Sequence, residues 1–172
     1  MKSPKTLREE VIRGYKSKCS SCGEREIAFL VLTRRDLKPL GGQSRDVYFQ
    51  LKESHWPKTH TLLCYNCKIP VLFERFLKKQ VRSGRYTQQE AKEYIILREE
   101  ACSKYGSKCQ CCGETDAECL IVDHRSEYLT DTGGMEELLA IKKLGWPKKE
   151  FRLLCYNCNR GTMHGKICPH KA

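Results

Sequence analysis

The chain has 172 residues, of which 40% are hydrophobic and 31% charged, a balance that excludes a wholly disordered polymer. Its formal net charge of +11 favours a polyanionic partner, nucleic acid before a membrane surface. The longest apolar run, residues 27–32, cannot span a bilayer, and the basic N-terminal stretch has no signal-peptide core, so a non-secreted intracellular protein (cytoplasmic, nucleoid or nuclear) with no membrane partner is expected.

In chain order, residues 7–15 read as a short helix. Cys19 and Cys22 follow as a C-x2-C pair closed by Gly23, as a tight turn presenting two sulfurs requires. Residues 27–32 read as an apolar strand, Gly41-Gly42 as a loop, and a helical stretch leads to Trp56-Pro57-Lys58. Leu62-Leu63 then delivers Cys64 and Cys67. Residues 71–81 look helical, SGRYT breaks them, and Thr87-x-x-Glu90 is a capping box opening a helix through about Glu100.

The same order then repeats. LREEVIRGYKSKCSSCGE (7–24) aligns without gaps on LREEACSKYGSKCQCCGE (97–114), and LLCYNC recurs at 62–67 and 153–158. The chain is therefore a tandem duplication with repeats of roughly 7–68 and 97–170. In the second copy Cys109 and Cys112 form the first pair, 119–122 the strand, 135–144 the clearest helix, and Cys155 and Cys158 the second pair. The alignment matches Cys22 with Cys112, which leaves Cys111 outside the ligand set.

Twelve cysteines in an intracellular chain point to metal before disulfides. Two pairs per copy supply four thiolates, the tetrahedral set of a closed, structural Zn²⁺ site, so two such ions are expected. The alternative is a thiol-redox protein built on C-x2-C motifs. Cys102, Cys111, Cys119 and Cys168 remain as core or free thiols, and Cys168-Pro169-His170 offers only two ligands for any further ion. His55 and His60 read as surface residues.

The copies diverge at the strand end. CLIVDHRS places Asp123-His124 where the second strand runs out, and the first copy has Thr33-Arg34 there. After the last cysteine the second copy has Asn159 and the first Lys68. Charge is uneven as well: residues 1–80 carry 17 Lys and Arg against 8 Asp and Glu, a net of +9, and residues 81–172 carry 15 against 13, a net of +2.

On KCQCCGE, LIVDHR, GWPKKEFRLLCYNCN and GKICPH, the second copy resembles the HNH (His-Me finger, ββα-metal) endonucleases with a four-cysteine zinc site, the phage recombination endonuclease VII type among them. The resemblance implies an α+β protein: two small zinc-stabilised modules at 1–68 and 97–172, joined by a helical linker at 69–96. It implies His124 as general base, with Asp123 and Asn159 holding a catalytic divalent ion such as Mg²⁺ through oxygen ligands. Asp123-His124-Asn159 in bland terms would be a strand-end carboxylate, an ordinary histidine and a helix-capping amide. His164 stands where many relatives carry a further metal ligand, with a solvated loop histidine as the plainer reading. The first copy, with Thr33, Arg34 and Lys68, reads as a degenerate module, hostile to a cation and friendly to phosphate. Arg34, Arg35, Lys68, Arg125 and Arg160 are the candidate nucleic-acid contacts, with DNA favoured. One site cuts one strand at a time, so a double-strand break would need two events or a homodimer. The alternative is an inactive zinc-stabilised DNA/RNA-binding or ribonucleoprotein component.

Overall fold

The computed structural model describes residues 4–41, 44–125, 134–163 and 167–171. The chain divides into two units, Met1–Lys68 and Ile69–Ala172. Unit one runs α1 (Pro4–Gly14), β1 (Leu30–Arg34), α2 (Ser44–Glu53), β2 (His60–Cys64) and the start of α3 (Tyr65–Arg82). Unit two holds the rest of α3, then α4 (Gln88–Lys104), β3 (Leu120–His124), α5 (Met135–Lys143), β4 (Phe151–Cys155) and α6 (Tyr156–Thr162). Among the described residues each unit therefore has one antiparallel hairpin, β1 with β2 or β3 with β4, and a helix leaving its last strand. The architecture is α+β, with two similar four-cysteine modules in one chain.

The repeated LREE block explains itself in three dimensions. Leu7 and Leu97 are buried in their units' cores. Arg8 donates through Nη2 to the carbonyls of Ile27 and Leu30 (2.8 Å each), and Arg98 to the carbonyl of Leu120 (3.2 Å) and the Tyr156 hydroxyl (2.9 Å). Each arginine ties the leading helix to the start of its strand. Glu10 pairs with Lys52 (3.0 Å) and Glu100 with Lys142 (2.6 Å), fastening the same helix to α2 or α5. The Trp-Pro repeat is also structural: Tyr15 and Tyr105 each donate to the following proline's carbonyl and meet Trp56 or Trp146 edge-on.

β1 starts three residues later than its apolar run suggests, and β3 one residue later. Glu26 and Asp116 accept from the backbone N–H of Ala28 and Glu118, and this cap turns Ile27–Phe29 and Ala117–Cys119 into 3₁₀ turns. Only from Leu30 and Leu120 does the backbone enter the ladder. The Thr87–Glu90 capping box forms, and its helix runs unbroken to Lys104, absorbing the second copy's leading helix. Phe73 and Leu77 of α3 pack with Ala91 and Tyr94 of α4 inside unit two, and Arg98 lies 4.1 Å above the Phe73 ring.

Candidate metal centres and strand-end site

Each four-cysteine set draws on two places in its unit. Cys19 and Cys22, or Cys109 and Cys112, sit in a turn where Gly23 and Gly113 take φ +84, a conformation that a side chain would strain. Cys64 and Cys155 end the second strand, and Cys67 and Cys158 lie in the first turn of the helix that follows. The turn is docked onto that strand: Ser20 N–H donates to Leu62 and Gln110 N–H to Leu153, both at 2.9 Å. All four sulfurs of each set lie within 4.8 Å of one another. Cys22 Sγ to Cys64 Sγ and Cys112 Sγ to Cys155 Sγ are both 3.7 Å. A tetrahedron with Zn–S bonds of about 2.3 Å has an edge close to that length, so each set fits one Zn²⁺.

One cysteine in each set is held low. Burial pushes the Cys19 thiol up, but N–H donors from Cys22, Cys64 and Ser21 outweigh it and bring it down to about 7. Hydrogen bonds from the Cys155 and Cys158 thiols hold Cys109 low against its burial. Other thiols are raised: burial pushes Cys67 up to about 11, the hydrogen bond to Cys109 pushes Cys155 up to about 12, and outside the sets burial raises Cys102 and pushes Cys119 up to about 12.

Beside the second set, the strand end gathers three side chains. Asn159 Nδ2 donates to Asp123 Oδ1 at 2.6 Å, and Arg152 Nε donates to Asp123 Oδ2 at 2.7 Å. Asp123 and Arg152 are cross-strand partners, so the hairpin register brings them together. Successive strand residues face opposite sides, and His124 accordingly points elsewhere. Its ring packs on Phe151, with centroids 4.7 Å apart. His124 Nε2 is buried, 3.4 Å from Glu137 Oε1, and makes no hydrogen bond among the described residues. Arg152 and Glu137 carry no motif of their own; their roles come from register and from α5 lying over the strand end.

Unit one differs at each position. Thr33 is buried and its hydroxyl donates to the Val31 carbonyl, with Thr61 opposite it on β2. Arg34 forks onto Asp36 (3.0 and 2.8 Å), which holds the Asp36 carboxyl well below the usual carboxylate range. Lys68 is half-buried, and burial lowers the pKa of its ammonium. Arg35 and Arg125 are exposed at matching places, donating through Nε to the carbonyls of Lys58 (2.7 Å) and Lys148 (3.3 Å). Arg160 is exposed, with Nη1 2.8 Å from Met163 Sδ. His55 is exposed, and His60 is partly buried with its Nδ1 3.0 Å from the Thr59 hydroxyl. His164 lies outside the described residues.

No described helix is long and apolar enough to cross a membrane. Comparison with protein-family models, curated proteins and solved structures finds no match to this chain.

Proposed function

We propose that unit two is an HNH-type, metal-dependent endonuclease that hydrolyses phosphodiester bonds of DNA, nicking one strand per site. In the same reading unit one is a non-catalytic copy that grips the nucleic acid. The supporting observation is the meeting of Asp123 and Asn159 beside the four-cysteine set of unit two, where unit one carries Thr33 and Lys68. A carboxylate and an amide oxygen are hard donors that suit Mg²⁺ retaining most of its water shell. Bound there, such an ion would stabilise charge on the scissile phosphate and the leaving oxygen. Asp123 and Asn159 would hold it, with the Asn159 amide turned so that Oδ1 faces the carboxylate.

His124 is the base in this reading. A proton on Nε2, on the Glu137 side, leaves Nδ1 with the lone pair that takes a proton from water. The four-cysteine set takes no part in the reaction; Asn159 directly follows Cys158, so a metal-pinned turn orients it. The net +9 of residues 1–80 supplies sequence-independent attraction to phosphates.

Arg34 is already paired with Asp36, so Arg35 is the stronger candidate contact in unit one. Arg35→Ala is expected to lower the log–log salt slope of duplex binding by about 0.9, one phosphate contact, and Arg34→Ala by less. Equal slopes for parent and both variants, measured by fluorescence anisotropy across a salt series, would remove unit one from the interface.

The Arg152–Asp123 ion pair favours a second reading, in which the chain is an inactive nucleic-acid-binding or ribonucleoprotein component whose cation site an arginine has closed. Mg²⁺-dependent nicking of supercoiled plasmid by the full chain separates the two. Under the nuclease reading Arg152 competes with the ion, and Arg152→Ala is expected to tighten Mn²⁺ binding roughly tenfold, the scale of one charge-assisted hydrogen bond. Paramagnetic relaxation of water protons measures it. No Mn²⁺ binding in parent or variant, beyond that of Asp123→Asn, would leave the second reading standing.

A further inference from the structure

Unit two holds a third group of ligand atoms that unit one cannot form. Cys111, Cys158, Cys168 and His170 place their sulfurs and an imidazole nitrogen within 4.8 Å of one another. His170 Nδ1 is 3.1 Å from Cys158 Sγ and 3.7 Å from Cys168 Sγ. Bonds of about 2.3 Å to sulfur and about 2.0 Å to nitrogen give a tetrahedral S–N edge of roughly 3.5 Å, between those two distances. Cys158 belongs to this group and to the four-cysteine set. We infer that unit two binds a second structural Zn²⁺ through Cys111, Cys168 and His170, with the Cys158 thiolate bridging it to the ion of the four-cysteine set.

Three observations support a built site. First, the chain goes out of its way to make it. In unit one the helix after the last cysteine continues to Arg82, whereas α6 ends at Thr162 and the chain comes back to its start. The returning segment is shaped by a 3₁₀ turn, Pro169–Lys171, in which Lys171 N–H donates to the Cys168 carbonyl at 2.8 Å. Second, the position matching Cys111 in unit one is Ser21, so the extra thiol of CQCC appears only where the return exists. Third, Cys158 is fully buried and Cys168 is 3% exposed, while His170 closes the group from the solvent side. Sulfurs crowded in this way without a cation would be left sharing protons in a dry place.

Charge points the same way. Four thiolates around one divalent ion leave two negative charges uncompensated. A second ion that brings in two more thiolates and a neutral imidazole adds none, and it relieves the shared sulfur. A thiolate keeps lone pairs after its first metal bond, so Cys158 can serve both ions. The second ion would also clamp the C-terminal return onto the turn from which Asn159 projects. This inference stands on the ligand geometry and is independent of the nuclease reading.

The test is metal content of the reduced full chain, zinc-loaded and gel-filtered. Three tightly held Zn²⁺ per chain are expected, against two for His170→Ala and for Cys168→Ser. Two ions in the parent, unchanged in His170→Ala, overturn the site. Should Cys168→Ser cost the four-cysteine ion as well, His170→Ala decides, because an exposed ring can be removed without disturbing the core. Replacement by ¹¹³Cd tests the bridge directly: the Cys158 β protons are expected to correlate with two cadmium signals. Three cadmium signals of which only one reaches Cys158 would overturn the bridge.

Discussion

His124→Ala is expected to leave supercoiled plasmid uncut in Mg²⁺ while binding DNA as the parent does. A positioned general base contributes about 10²–10⁴-fold, which corresponds to roughly 3–5 kcal/mol of barrier. Little of that appears in ground-state affinity, because the proton moves only as the bond to phosphorus forms. Asp123→Ala should lose activity as well, but through the divalent ion, and with both four-cysteine ions retained. Product topology at low enzyme adds a second reading of the same experiment. Under the nuclease reading a single His124 activates one water, so nicked circles should accumulate before linear product. A verified monomer that linearises plasmid in one step would mean that unit one also cuts. Full activity in His124→Ala would remove the histidine from the chemistry and leave the strand-end assignment resting on Asp123 and Asn159 alone.

Stripping the metal should have the larger effect on structure. Among the described residues each unit has a single two-stranded hairpin, which does not hold by itself in water, packed on a small core. Structural Zn²⁺ in small zinc domains contributes about 10–16 kcal/mol of apparent binding free energy, as much as the whole stability of an ordinary domain. A strong chelator under reducing conditions is therefore expected to unfold both hairpins, and zinc to restore them. The two tryptophans make this measurable unit by unit, since Trp56 lies in the first and Trp146 in the second. Cys64→Ser should collapse the Trp56 signal and spare Trp146, and Cys155→Ser should do the reverse. A metal-free, reduced chain that still melts cooperatively from both tryptophans would show that burial alone holds the fold.

Much of this molecule is legible in the order of its residues. The duplication, the two C-x2-C pairs per copy and the Thr87–Glu90 cap are spacing signals, and spacing survives projection onto one dimension. The contrast between Asp123/Asn159 and Thr33/Lys68 is legible for the same reason, because a repeat aligned on itself shows where it changes. What only tertiary structure decides depends on which chain segments meet. Arg152 reaches Asp123 because the hairpin register sets position 152 opposite position 123, and nothing in FRLLC announces that pairing. His124 faces Glu137 rather than Asn159 because neighbouring strand residues point to opposite faces. The late start of β1 was hidden too, since a carboxylate cap on the backbone overrode an apolar run. The clearest case is Cys111. Aligned with its repeat it is a spare thiol, and Cys168-Pro-His170 alone is two ligands short. A chain return after Thr162 adds Cys111 and Cys158 to Cys168 and His170, and ligand count is a property of space rather than of sequence.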